Sequence, residues 1–172
     1  TEIQMNFKIF IIPFTTRMTI VKLANNNLWI HSPIAFNGEL DDKIKELGEI
    51  AYIVAPNKYH YSYILDWYNH YPKAKIWLAK GVSDKLKVEE KENFISFNSI
   101  SKTVWSEEIL FTPFKGSIAM EEIVFFHRES STLILTDLIE NIEVNELPLF
   151  YKLLFRVGDN QYPKSRTPRD LR

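Results

Sequence analysis

A histidine placed after a buried strand and before a helix can ligate a metal or take a proton, and His60 stands in such a place. It lies in the turn Pro56-Asn57-Lys58-Tyr59-His60, between the apolar run Ala51 to Ala55 and a helical pattern that starts near Tyr61. The bland alternative for His60 is a helix cap or a hydrogen bond to a neighbouring loop. In the same turn Asn57 and Lys58 bring together an amide and an ammonium, which can recognise a phosphate or a carboxylate, although an exposed loop lysine is the simpler reading of Lys58. Asp137 ends a second apolar run, Thr132 to Thr136, where a carboxylate can bind a cation or cap a helix. His31 ends a third run, Leu28 to Ile30, and either joins the same edge of the sheet or closes its strand.

Two further histidines are set aside. His127 adjoins the turn Arg128 to Ser131, whereas Asp137 ends the partner strand at its far end, so strand geometry separates them by about 15 Å or more. His70 and Asp66, four apart on one helix, suit a modest local pair better than a metal.

The candidate residues can meet only if the elements carrying them end on one edge. Met18 to Leu23 and Leu28 to His31 read as a hairpin across Ala24-Asn25-Asn26-Asn27, with Ser32-Pro33 ending its second strand. The preceding residues, Phe7 to Phe14, read as an edge strand or a segment across the sheet. Asn37 is placed to cap a helix carrying Leu40, Ile44 and Leu47 on one face, with Gly48 at its C-cap. Ala51 to Ala55, a helix from about Tyr61 that stops at Pro72, and Ala74 to Ala79 form a βαβ unit. Open α/β sheets bind ligands at the carboxyl ends of such strands, which is where Pro56 to His60 falls. Gly81 to Asn93 is a charged, exposed helix or loop. Short strands follow at Phe94 to Phe97 and Glu108 to Thr112, punctuated by Pro113 and Gly116. Glu122 to His127 and Thr132 to Thr136 form a second hairpin, and an amphipathic helix spans Leu147 to Val157.

The 172 residues and 45% apolar share suit one domain with a real core. A net charge of -1 and scattered lysines give no electrostatic case for nucleic acid. Without cysteine there is no disulfide and no thiolate metal site, and a cytoplasmic or other reducing soluble compartment fits. No run is long enough for a membrane span. The chain opens at Thr1, which leaves a removed leader open.

The order of Leu28-Trp-Ile-His-Ser-Pro33, Ile53-Val-Ala-Pro-Asn57 with His60, and Phe126-His-Arg before Thr132-Leu-Ile-Leu-Thr-Asp137 resembles the metallo-β-lactamase superfamily, most closely a branch described as a domain of unknown function. The resemblance covers Arg17 to Arg172. It implies an α/β fold of the αββα sandwich type, two mixed sheets flanked by helices. It also implies one domain over residues 1–172 that lacks its C-terminal part, since a final superfamily histidine would lie past Arg172; residues 159–172, polar and rich in proline and arginine, read independently as a loop or tail. Active members place zinc ligands in a His-x-His-x-Asp-His pattern. Laid on it, Pro56 and Lys58 replace the first two histidines, His60 falls at the aspartate and Tyr61 at the last histidine. The next histidine would fall near Gly116 or Ser117. Asp137 matches the metal-bridging aspartate, and His31-Ser32-Pro33 stands where many members carry Asp-Thr-Gly.

Two functions follow from that pattern. One is a non-catalytic domain with a degenerate metal site that binds a small anionic ligand, through Asn57 and Lys58, or a partner. The other is a hydrolase of an ester, thioester or phosphoester that keeps one zinc, iron or manganese on His60, Asp137 and His31, or on a histidine beyond Arg172. A structural or oligomerising domain is a third reading, to be recognised by abundant aromatic surface.

Overall fold

Three asparagines, Asn25 to Asn27, make a sharp turn. Asn26 takes a left-handed conformation, φ 69°, which asparagine tolerates better than most side chains. The turn closes with Leu23 N donating to Asn27 O at 2.8 Å and Asn26 N to Leu23 O at 3.0 Å. It joins β2 (Ile12–Lys22) to β3 (Asn27–His31) as the expected antiparallel hairpin. β2 begins earlier than its periodicity suggests and also pairs with an edge strand, β1 (Glu2–Ile9). The computed structural model describes residues 2–9, 12–89, 92–97, 102–117, 121–139, 148–158 and 166–167, so most of the expected polar tail over 159–172 lies outside the described residues.

Beyond β3 the chain reaches α1 (Gly38–Lys45), whose N-cap is Asn37, its side chain accepting from Leu40 N. Acidic Glu39 and Asp41 in the first turn and basic Lys43 and Lys45 in the last complement the helix dipole. Ile44 is the residue of this helix that enters the core. Gly48 is not the C-cap expected of it, because that position belongs to Glu46. It is instead needed for close approach, since a Cβ there would lie 2.3 Å from Asn26 O.

β4 (Glu49–Ala55), α2 (Ile64–His70) and β5 (Lys75–Leu78) form the βαβ unit, with β3, β4, β5 and β6 (Phe94–Ser96) all parallel. α2 starts at Ile64 rather than near Tyr61, which lengthens the turn after β4. Trp67 anchors the helix by burial and by donating from Nε1 to Ile34 O at 2.7 Å. A five-residue helix, α3 (Val82–Leu86), occupies the charged segment after β5.

A second sheet follows in the order β7 (Ile109–Phe114), β8 (Glu122–His127), β9 (Thr132–Ile134), all antiparallel. Pro113 does not end β7 but sits inside it, opposite Ile123. A proline is tolerated there because β7 is an edge strand. α4 (Leu149–Gly158) is the last described helix; Leu147, expected at its start, lies outside the described residues.

The result is a mixed α/β domain with two sheets and few helices. The six-stranded sheet runs in sequence order, β1 to β6, and an aromatic layer joins it to the three-stranded one. Trp29 of β3 meets Phe125 of β8 with centroids 5.0 Å apart, and Trp105 packs against Trp29, Trp77 and Phe125. These aromatic residues therefore serve the core. Among the described residues no helix is long and apolar enough to cross a membrane.

Candidate functional site

β3 and β4 run parallel, so their carboxyl ends share an edge, and two chain segments leaving that edge build the site. Ser32 follows β3 directly. Its N–H donates to Val54 O at 2.9 Å, which holds it against the end of β4, and its φ is 53°. Left-handed backbone at a serine is uncommon and carries a local conformational cost that the surrounding contacts must outweigh.

The turn after β4 is organised by Asn57, which is fully buried. Its Oδ1 accepts from Tyr59 N at 2.8 Å and from His60 N at 3.1 Å, an Asx-type turn that sets the backbone of His60. Its Nδ2 donates to Asp137 Oδ2 at 2.8 Å and Thr136 Oγ1 at 2.9 Å, with Glu122 Oε2 at 3.4 Å. The carboxamide is thus committed inside the protein. Lys58, expected beside it as a ligand group, instead places Nζ 5.8 Å from the Tyr59 ring centroid.

The second sheet brings in the carboxylates. Ile123 N donates to Pro56 O at 2.8 Å, tying the start of β8 to the end of β4. Next to it Glu122, only 2% exposed, accepts from Thr136 N and Asp137 N, each at 2.8 Å. Glu122 therefore acts as an internal strut: it satisfies two backbone donors of the segment after β9 and so fixes Asp137.

At the centre is His60. Its Nε2 lies 3.2 Å from Asp137 Oδ1 and 3.2 Å from Oδ2, and its Nδ1 lies 2.5 Å from Ser32 Oγ. Burial acts to lower the His60 pKa. The hydrogen bond to Asp137 and the attraction of the Asp137 and Glu122 carboxylates outweigh it, and the pKa is raised. Burial likewise acts to raise that of Asp137, but the His60 hydrogen bond and charge, with the Asn57 hydrogen bond, hold it below the usual carboxylate value. The two shifts have the signs of an ion pair. With the imidazole neutral, Asp137 accepts from Nε2–H and leaves Nδ1 as the acceptor facing Ser32, a tautomer set by the second hydrogen bond. A hydroxyl, an imidazole and a carboxylate then form a relay that can move a proton.

His31 belongs to the same region but not to the relay. It is buried, its ring stacks on Trp29 with centroids 5.5 Å apart and meets Phe125 edge-on at 5.3 Å. Desolvation, aided by the charge of His60 and opposed by Asp137, pushes its pKa down to about 3, so it is neutral. The remaining histidines are local. His127 Nδ1 pairs with Ser130 Oγ at 2.7 Å, and His70 Nδ1 with the Asp66 carbonyl oxygen at 2.9 Å while its ring stacks on Phe36.

A metal centre fits this donor set poorly. Among the described residues no group of three or more His, Asp or Glu side chains is arranged to hold an ion. Both ring nitrogens of His60 are engaged, so a metal there would have to displace Ser32 or Asp137.

His60 and Asp137, singled out from sequence, do come together. Ser32, Glu122 and Thr136 were not. For Ser32 the only local hint was a hydroxyl between a strand end and a proline. For Glu122 it was a carboxylate opening the apolar run Ile123 to Phe126.

Residues 3–167 match the family described as Domain of unknown function (DUF4336), and the chain belongs to that family. A comparison with curated proteins found no match.

Proposed function

We propose that this member of the family is a metal-independent hydrolase on a metallo-β-lactamase-like scaffold, with His60 as general base held by Asp137. The observation that carries the reading is the Ser32–His60–Asp137 relay at the carboxyl edge of β3 and β4. The scaffold assignment rests on the resemblance of the sequence and is supported by two facing sheets, with Pro56 to His60 after β4 and Asp137 after the second hairpin. On such a scaffold the place of the zinc ligands is taken by side chains that hydrogen-bond to one another. Ester or thioester hydrolysis is the chemistry this relay suits, because a positioned base is then enough to activate a hydroxyl.

A non-catalytic domain that binds a small anion through Asn57 and Lys58 has less support, since the Asn57 amide is spent on Asp137 and Thr136. The carboxylates of Asp137 and Glu122 also set a negative local field.

The test is hydrolysis of p-nitrophenyl acetate and of a short acyl thioester by the 172-residue chain, with and without a chelator, beside His60→Gln. The expected result is turnover indifferent to the chelator and lowered at least about a hundredfold in the variant, the usual scale of general-base catalysis. Turnover abolished by chelation and restored by zinc would overturn the metal-independent reading. Equal turnover in wild type and His60→Gln would overturn the role of the histidine.

A further inference from the structure

We infer that Ser32 is itself a nucleophile, which takes the acyl group of a slim, uncharged ester or thioester as a covalent acyl-serine before water releases it. The inference rests on the reading of His60 as base and goes further: a base at this position could equally activate water, and three observations select the serine. Ser32 Oγ, at 2.5 Å, already occupies the acceptor nitrogen through which a water would have to be activated. The backbone holds it there at φ 53°, in a conformation serine seldom adopts, with the N–H fixed on Val54 O. Such backbone clusters where a side chain must be aimed. Third, Ser32 is 2% exposed, whereas the side chains of His60 and Asp137 are 20% and 31% exposed. Whichever hydroxyl attacks, Asp137 on Nε2 and the nearby Glu122 carboxylate place negative charge beside the base, which stabilises the imidazolium formed during attack and disfavours an anionic substrate.

The substrate class follows from the same facts. A buried hydroxyl admits a narrow acyl chain, and two carboxylates exclude phosphate and carboxylate groups next to the reacting carbonyl. In the first step Oγ attacks the carbonyl carbon while its proton passes to His60 Nδ1, and the carbonyl π electrons move onto oxygen. Collapse of the tetrahedral intermediate breaks the bond to the alkoxide or thiolate, which leaves with the proton from His60. Water then attacks the acyl-serine, giving its proton to His60. The second collapse releases the carboxylic acid and returns the proton to Oγ. The sum is one acyl ester or thioester plus one water giving one acid and one alcohol or thiol. Ser32 and His60 are the catalytic residues, and Asp137 is a positioning residue acting through His60.

The test uses two small serine-directed probes, phenylmethylsulfonyl fluoride and diisopropyl fluorophosphate, on the 172-residue chain, read by intact-protein and peptide mass spectrometry. Wild type is compared with His60→Gln, Ser32→Ala and Ser32→Gly, the glycine variant removing the hydroxyl while accepting the positive φ. Circular dichroism verifies folding. One adduct per chain on Ser32, formed at least about a hundredfold more slowly in His60→Gln and absent from both serine variants, supports the inference. A stoichiometric burst of p-nitrophenol from p-nitrophenyl acetate, lost in Ser32→Gly, supports it further. Turnover that needs His60 but survives in folded Ser32→Gly, without an adduct, overturns the nucleophile and leaves the general-base reading standing. Absence of both an adduct and His60-dependent turnover overturns the two together.

Discussion

His31 should make the fold acid-sensitive in a window where the other shifted groups are nearly silent. Its imidazole titrates near 6.5 when unfolded and at about 3 in the fold, because burial between Trp29 and Phe125 desolvates the cation and the charge of His60 adds to the shift. A histidine with a depressed folded pKa is neutral in the native state while the unfolded chain takes up its proton. Its contribution is complete above the unfolded value and falls as pH drops from about 6.5 towards 3. Between pH 6.5 and 5.0 the native ring stays unprotonated, while the unfolded one passes from half to almost fully charged. Linkage then gives a loss of about 1.6 kcal/mol. His60 does not mask this: its folded pKa is raised, so its contribution is already full below the unfolded value and is lost only as pH rises through the folded one. Asp137 and Asp41, both lowered, lose their contributions only as pH falls through the carboxylate range and below. The assay is urea unfolding followed by tryptophan fluorescence at pH 6.5, 5.75 and 5.0, for wild type and for His31→Phe, which keeps an aromatic ring between Trp29 and Phe125. The expected outcome is a stability difference, wild type minus variant, that moves against wild type by about 1.6 kcal/mol across the window. Parallel pH curves for the two proteins would refute the account, since they would mean that His31 is protonated or solvated in the fold.

If His60 must be neutral to act as base, its raised pKa places the ascending limb of the kcat/KM profile for p-nitrophenyl acetate above the ordinary histidine value. Asp137→Asn should shift that limb to lower pH while lowering the maximum, and an unmoved limb would refute the pairing. Glu122→Ala leaves the part-buried Thr136 and Asp137 amides without their acceptor, and at about 1–3 kcal/mol per unsatisfied donor it should cost about 2–6 kcal/mol in urea unfolding. Gly48→Ala forces a Cβ against Asn26 O, a backbone clash expected to cost about 1–3 kcal/mol by the same measurement; an unchanged midpoint would contradict it. Asn37→Ala removes the α1 cap bond to Leu40 N and should cost about 1 kcal/mol, detected as a lowered urea midpoint at constant m.

Local signals were strong where one residue decides a local geometry. The Asn25 to Asn27 turn, the Asn37 cap, the βαβ unit and the Arg128 to Ser131 hairpin were legible because turn chemistry and hydrophobic period act within a few residues. Gly48 looks like a cap in the sequence because its real constraint, Asn26 O, comes from another element. Pro113 looks like a strand end because the sequence does not reveal that β7 lies at an edge, where a missing N–H costs little.

The sequence by itself determined that one edge of a largely parallel sheet would carry His60 and that Asp137 would follow a separate hairpin, although the strand expected to run to Thr136 stops at Ile134, three residues before Asp137. Only the tertiary structure decided what these groups do to one another. Ser32 and His60 are 28 residues apart, His60 and Asp137 are 77, and Glu122 reaches Asp137 from a different strand of the second sheet. No periodicity encodes those distances, which are set by how the two sheets close on Trp29, Trp105 and Phe125. That closure also buries His31 and strips it of its charge. In sequence it stood as a third polar member of the site, and in the fold it is part of the apolar floor beneath it.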